Sequence, residues 1–494
     1  MYYMQKSNVI YRNYGSFGYI TDNRNFGYKY LNDTSKVIGD KILSESGNVF
    51  FSALSRIPKS LDEIVIKISE QYSNVLIDRL KEDAHIFFEE LESDGFVVSG
   101  ETILECTEKD ILFSYNNLST STQSNHNPNT NETGKDTQDF FQEYFGDKPQ
   151  MTHLHIEITG QCNERCVHCY IPHEKKTICM DANLFYDILE QCREMNLLNI
   201  TISGGEPMLH SNFIDFISKC NEYNFSVNVL SNLTLMGQDV IDEMKRNPLL
   251  GIQTSLYSMN PDVHDEITQM PGSFEKTLSS ILKLIKNGIP LQVSCPIMKQ
   301  NRHDYKDVIS WCNDHQLHAN SDYVIIGNYD HTMHNLNCRL SLDNIHEIMC
   351  DNINNDSKYF ESITKEYEQK KSLSPDDHIC SVCQSSICIS ESGNVYPCSG
   401  WQGYVIGNIN KSTLSEIWQS SEEIKHLRNI RRHDFPKCCD CPDRRFCTMC
   451  MVRNANESVQ GNPFEVNEFF CNISELKRKI YLKKVSETTK TNNI

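Results

Sequence analysis

The stretch HLHIEITGQCNERCVHCY, residues 153–170, decides how this chain is read. Its first part, His153 to Thr159, is a short strand-like run bounded by a glycine. Directly after it come Cys162, Cys166 and Cys169, spaced C-x3-C-x2-C. Three thiolates satisfy three irons of a four-iron cubane, whose usual complement is four, so one iron is left for a ligand that is not protein. Zinc is the competing reading. It wants a fourth protein ligand, and C-x3-C-x2-C without one nearby is a poor tetrahedral site. His168 could be proposed as that ligand but is expected to sit beside the loop.

Outward from this point the chain alternates regularly. Strand-like runs fall at 153–159, 199–203, 226–231, 251–257, 291–298 and 322–327, with helical stretches at 183–195, 212–223, 237–246, 274–287, 304–314 and 342–353. The first helix carries Leu184, Phe185, Ile188, Leu189, Cys192 and Met195 on one face. Six βα repeats imply a parallel sheet with helices outside, open or curled, and a partial (β/α)6 barrel over 149–355 is expected.

The loop QCNERCVHCY, including Tyr170 after the third cysteine, resembles the signature of the radical S-adenosylmethionine (SAM) superfamily. Ser203-Gly204-Gly205-Glu206-Pro207 after the second strand is similar to that family's GGEP motif. The resemblance implies that its backbone and glutamate hold the methionine amino group of SAM. Ser231 and Asn232 end the third strand and Ser255 lies late in the fourth, at positions that reach the ribose and carboxylate in the family. Active sites of βα barrels sit at the C-terminal ends of the strands, so all these pieces are expected in one mouth.

The chain has 21 cysteines, and ten of them fall between Cys380 and Cys471. Clustered cysteines in a long chain that lacks a signal-peptide layout point to metal binding rather than disulfides. Cys438-x2-Cys441-x5-Cys447-x2-Cys450 and Cys471, preceded by Cys380, Cys383 and Cys398, are similar to the SPASM domain, an extension that binds two auxiliary 4Fe–4S clusters. The resemblance assigns Cys438, Cys441, Cys447 and Cys471 to one cluster, and Cys380, Cys383, Cys398 and Cys450 to the other. The chain departs from the family in having two residues, not three, before Cys450. This leaves Cys388 and Cys439 as substitutes, and zinc as the alternative ion. Most other cysteines read as small core residues.

Residues 1–105 read as a compact winged-helix-like α/β module. It has strands at 17–21 and 26–30, a helix opening with the capping box Ser60-Leu61-Asp62-Glu63, a second helix from Ile77 to Leu91, and a closing strand at 95–98. Its order is similar to the leader-peptide-recognition (PqqD-like) domain of the pyrroloquinoline-quinone pathway type. Residues 106–148 read as a polar linker, 356–377 as a bridging segment, 378–475 as the SPASM domain and 476–494 as a helix and tail. The formal charge of −19 gives no reason to expect nucleic acid, and the module shows no basic recognition helix. No apolar run suits a membrane span, and a cytoplasmic enzyme is expected.

Together these resemblances imply a maturase of ribosomally made precursor peptides whose leader the N-terminal module binds. They imply a SAM-binding 4Fe–4S cluster, two auxiliary 4Fe–4S clusters, SAM, and an electron donor such as flavodoxin or ferredoxin. The implied reaction removes a hydrogen from a peptide residue with the 5′-deoxyadenosyl radical and closes a thioether from a peptide cysteine thiolate onto that carbon, an auxiliary cluster taking away the surplus electron. The alternatives are a carbon–carbon link, epimerisation, formylglycine formation, or a non-enzymatic iron–sulfur electron carrier. No residue is singled out as a catalytic acid or base.

Overall fold

In the computed structural model, residues 1–23, 40–72, 75–110, 137–247 and 251–491 are described. The N-terminal residues form β1 (Tyr2–Gln5), β2 (Val9–Asn13), β3 (Gly18–Asp22) and β4 (Lys41–Leu43), then α1 (Glu45–Ser52), β5 (Lys59–Ser60), α2 (Leu61–Ser69), α3 (Ile77–Ser93) and β6 (Val97–Gly100). They make two three-stranded antiparallel sheets, β2–β3–β4 and β5–β1–β6. The expected capping box starts α2: Ser60 Oγ accepts from Glu63 N–H, and Glu63 accepts from Ser60 N–H at 2.8 Å. Ile64, Ile68, Leu80, Ala84, Phe88 and Leu91 fill the core, but Ile66 is 61% exposed. A 3.6-residue period sets Ile66 on the far side of α2 from Ile64 and Ile68. The strand expected at 26–30 lies outside the described residues, and β1, β4 and α1 lacked a pattern long enough to read.

Helices α4 (Ile103–Lys109) and α5 (Thr137–Phe145) fall within or across the ends of the segment read as linker; 111–136 are outside the described residues. Phe140 of α5 stacks on Tyr19 with centroids 4.0 Å apart, beside Ile10 and Leu198. The module is also pinned to the rest of the chain by buried Arg12. Its Nε donates to Leu197 O at 2.6 Å and its Nη2 to Asn224 O at 3.0 Å.

The alternating segment comprises β7 (His153–Thr159), α6 (Ala182–Glu194), β8 (Asn199–Gly204), α7 (Phe213–Glu222), β9 (Ser226–Leu230), α8 (Gln238–Arg246), β10 (Gly251–Ser255), α9 (Pro261–Thr268), α10 (Ser273–Lys286), β11 (Leu291–Ser294), α11 (Tyr305–Asp314) and β12 (His318–Asn320). The strands β7 to β12 are parallel and adjacent in strictly sequential order. That order is a barrel's, because a doubly wound sheet reverses direction at a switch point. The sixth strand is a correction. It lies at His318–Asn320, not 322–327, and the latter stretch is irregular.

The remaining elements are α12 (Leu342–Asn355), α13 (Ser357–Gln369), β13 (Ser386–Ile389), β14 (Asn394–Tyr396), β15 (Gly407–Asn408), α14 (Leu414–Ser420), α15 (Glu422–Asn429), α16 (Pro436–Cys439), α17 (Met451–Glu457) and α18 (Glu468–Thr491). β13 pairs in parallel with β7, so the cysteine-rich segment extends the barrel sheet to nine strands from β7's free edge. No helix among the described residues is long and apolar enough to cross a membrane.

Candidate active site

Residues 153, 155, 157 and 159 of β7 share one face by the two-residue period of a strand, while Leu154, Ile156 and Ile158 are buried in the main hydrophobic core. Where β7 to β10 end, their loops converge on a cavity of about 440 Å³. Cys162, Cys166, Cys169, Tyr170, Ser203, Gly204, Gly205, Ser231, Asn232 and Ser255 line it, with His155, Glu164, His168 and Tyr257. Ten of the sequence-predicted positions therefore meet in one mouth, as the barrel geometry requires.

Glu206 and Pro207 are placed differently, outside the cavity lining. Glu206 is fully buried and accepts from Ser231 Oγ at 2.8 Å, Asn232 N–H at 2.8 Å and Met208 N–H at 3.0 Å. It thus shapes the end of β9 from behind the wall. Burial raises its pKa to about 7.

The two glycines answer to contact with the cysteine loop. Gly204 has φ +142°, and a Cβ there would stand 2.0 Å from Thr159 O; at Gly205 a Cβ would stand 2.2 Å from Gln161 O. Gly205 N–H donates to Thr159 O and Glu206 N–H to Gln161 O, each at 2.8 Å, which zips this loop to the residue preceding Cys162.

The cysteine loop itself is held from several sides. Arg165 N–H donates to Thr268 O and Val167 N–H to Ile267 O, at the end of α9. Asn163 bridges Asn232 and Thr234. Beyond β12, Asn328 Nδ2 in the irregular stretch donates to Cys169 O, and Asn335 Nδ2 in the short 3-10 helix His334–Cys338 donates to His168 O. These asparagines carried no sequence signal of their own. His168 lies 3.3 Å from Tyr257 Oη, beside the loop as expected, and burial lowers its pKa to about 4. Burial likewise pushes the Cys162 thiol up to about 11 and raises Cys166 well above its ordinary value, so as free thiols both are protonated.

The C-terminal cysteines form two groups. Cys438, Cys441, Cys447, Cys450 and Cys471 line one cavity. Cys380, Cys398 and Cys450 lie within electrostatic reach of one another, as do Cys383, Cys380 and Cys398. Cys439 turns aside to Arg432 O at 3.2 Å. Of the other cysteines, Cys106, Cys192, Cys220, Cys295, Cys312 and Cys338 are buried core residues, while Cys179 is exposed and Cys350 half-buried.

Spacing separates a cluster from a single ion. Four thiolates around one zinc lie roughly 3.8 Å apart, given Zn–S bonds of about 2.3 Å and tetrahedral angles. Among the described residues, the one set of three or more donors lying within 4.8 Å of one another is His155, Glu157 and Cys388. No cysteine group among the described residues meets that spacing, and three or four thiolates are the complement a cubane takes.

A sequential βα sheet with a three-cysteine mouth, extended by further cysteine groups, offers thiolates for one cluster with an open iron and for auxiliary iron–sulfur clusters. Residues 156–312 match the Radical SAM superfamily, and residues 380–442 match SPASM, an iron-sulfur cluster-binding domain. The chain is therefore an enzyme that carries both domains and uses a 4Fe–4S cluster, SAM and auxiliary iron–sulfur clusters. It is 24% identical over 330 residues to the antilisterial bacteriocin subtilosin biosynthesis protein AlbA of Bacillus subtilis, covering 63% of this chain and 69% of AlbA. It is also 24% identical over 330 residues to an AdoMet-dependent heme synthase of Methanosarcina barkeri, covering 60% and 90%. The solved structure of Streptococcus suis SuiB bound to precursor peptide SuiA shares the fold at a TM-score of 0.57 and 13% identity, covering 94% of this chain and 99% of SuiB.

Proposed function

We propose that this enzyme matures a ribosomally synthesised precursor peptide, forming a thioether from a peptide cysteine to a carbon of another residue. The observation that carries the peptide reading is the N-terminal module. Among the described residues its sheet β2–β3–β4 ends in β4 as an edge strand, next to α3, where Lys41 pairs with Glu90 at 2.7 Å and with Asp94. An open sheet edge beside a helix is a place for an extended peptide to add as a strand. AlbA's role in bacteriocin biosynthesis and the peptide-bound fold of SuiB support the same reading.

Cys162, Cys166 and Cys169 would hold the SAM-binding cluster, Cys438, Cys441, Cys447 and Cys471 one auxiliary cluster, and Cys380, Cys383, Cys398 and Cys450 the other. When bound, the first cluster supplies the electron that cleaves SAM to methionine and a 5′-deoxyadenosyl radical. The chain's own residues orient and enclose. Tyr170, Ser203, Gly204, Gly205, Ser231, Asn232 and Ser255 form the SAM wall, and Glu206 fixes Ser231 and Asn232 in it. The module docks through Arg12 on Leu197 and Asn224, which precede β8 and β9, at the barrel end opposite the mouth. A peptide held there must have a leader long enough to bring its core round to the cavity. A cytoplasmic setting with flavodoxin or ferredoxin as electron donor belongs to this proposal.

The test is anaerobic incubation of reduced, reconstituted enzyme with SAM and a candidate cysteine-bearing precursor peptide, read by mass spectrometry. Loss of two hydrogens with a peptide cysteine protected from alkylation is the expected result. The same loss with every cysteine alkylatable would mean a carbon–carbon link. Unchanged mass with solvent deuterium uptake would mean epimerisation. No change despite 5′-deoxyadenosine release would overturn the peptide substrate.

A further inference from the structure

Glu157 is a carboxylate 3% exposed inside the barrel, on the face of β7 that also carries His155. Its carboxylate accepts from the amide of Gln402, which reaches in from the cysteine-rich segment. The β7–β13 register sets Cys388, also buried, directly opposite His155. Strand periodicity and register thus bring an imidazole, a carboxylate and a thiol together on one lumen face, with donor atoms all within 4.8 Å of one another. We propose that His155, Glu157 and Cys388 bind a single divalent cation of the zinc class, at a site separate from the iron–sulfur clusters.

The donor chemistry selects the ion. One nitrogen, one oxygen and one sulfur suit a borderline cation such as zinc, whereas calcium and magnesium take oxygen shells. Each donor is poised for it. Burial keeps His155 neutral, with its pKa lowered to about 3, so a ring nitrogen has a lone pair to give. Burial raises Glu157 to about 8, the mark of a carboxylate enclosed without a compensating charge, and a cation would supply that charge. Outer partners are in place as well: Gln402 on Glu157 and Ser203 Oγ on His155. Three protein ligands leave one coordination position over. His155, Ser203 and Ser399 line the main cavity, so that position would face the space shared with SAM.

The holoenzyme, loaded with iron and sulfide, is equilibrated with zinc buffered at low free concentration. Zinc and iron are then counted, and the zinc K-edge is measured. The expected result is about one zinc per chain with a single sulfur in its shell. Cys388→Ala and Glu157→Gln should each weaken zinc binding by more than roughly tenfold with iron content unchanged, and Gln402→Ala by roughly 10- to 100-fold. Absence of bound zinc would overturn the site. An all-sulfur shell would do the same, placing the zinc in a cysteine group. Loss of iron in Cys388→Ala would make Cys388 a cluster ligand and also overturn it.

Discussion

Replacing Gly205 with alanine isolates the contact between the GGEP-like loop and the cysteine loop. Gly205 lies outside the left-handed region, so alanine meets no backbone penalty there. Its Cβ would, however, stand 2.2 Å from Gln161 O, 2.6 Å from Gln161 C and 2.6 Å from Gly160 O. All three are backbone atoms, so no side-chain rotation relieves the clash. Restoring even a 3.0 Å contact needs a shift of about 0.8 Å. That shift breaks into the hydrogen bonds from Gly205 N–H to Thr159 O and from Glu206 N–H to Gln161 O, and it moves the residue bonded to Cys162. The two weakened bonds cost about 1 kcal/mol each, a loss the fold tolerates. Function is more sensitive, because a displacement near 1 Å in an aligned site costs on the order of 10²-fold in rate. The assay is 5′-deoxyadenosine release by dithionite-reduced enzyme under anaerobic conditions, with iron content measured on the same sample. Gly400→Ala serves as control, since the nearest atoms to its Cβ are side-chain ends of Ile326 and Val452 at 3.3 Å. A Gly205→Ala enzyme releasing 5′-deoxyadenosine within about threefold of wild type would refute the view that this contact sets the cysteine loop.

The other predictions concern metal content, acid stability and docking. Cys441→Ala should lose about four irons per chain, one cubane's worth, and leave SAM cleavage without peptide measurable; unchanged iron would remove Cys441 from the ligand set. His153 is bonded to Thr201, and burial lowers its pKa from 6.5 to about 4. The unfolded chain therefore takes up a proton near pH 6.5 that the folded protein refuses until about 4, so stability falls as pH drops through that window, by at most roughly 3 kcal/mol. His153→Gln should flatten the decline of Tm between pH 6.5 and 4, and an unchanged slope would contradict the assignment. Arg12→Ala strips donors from the carbonyls of Leu197 and Asn224 and should destabilise by about 3 kcal/mol. Because this interface lies at the far barrel end, peptide-independent SAM cleavage should stay unchanged, and its loss would tie the module to the mouth.

How much of this was legible in the sequence depended on whether a signal was local. The helices α6, α7 and α10 carry full apolar stripes and the cysteine loop a fixed spacing, so the barrel and its mouth could be read from residues alone. The sixth strand could not. Residues 322–327 are as apolar as a strand, but they lie past β12 and lead irregularly to Asn328 and Asn335, which clamp the cysteine loop. Helix α5 was hidden by polar neighbours, and its burial on Tyr19 is a tertiary contact across more than a hundred residues. The bonds of Glu206 to Ser231 and Asn232 were not legible, because a motif names residues without naming the partners they meet on the next strand. The polar lumen face of β7, by contrast, was visible in the alternation of His153, His155, Glu157 and Thr159. What it lacked was the partner strand that brings Cys388 alongside.

That partner strand carries the most consequence for how the enzyme is assembled. An open barrel leaves β7 with an unpaired edge, and an unpaired edge beside an active site invites slippage or association. β13 fills it in parallel register, and the hairpin to β14 then leads directly to Cys398. The distance from the mouth to the cysteine-rich segment is therefore set by backbone hydrogen bonds of one continuous sheet rather than by a flexible tether. Gln402, four residues beyond Cys398, reaches back to Glu157 on β7, the strand whose following loop carries Cys162. A change in the cysteine groups must thus be felt in the barrel lumen through β13 and Gln402, over a path only a few residues long. The two metal-binding regions share one strand as their common support, which is why neither could be shifted without re-registering the other.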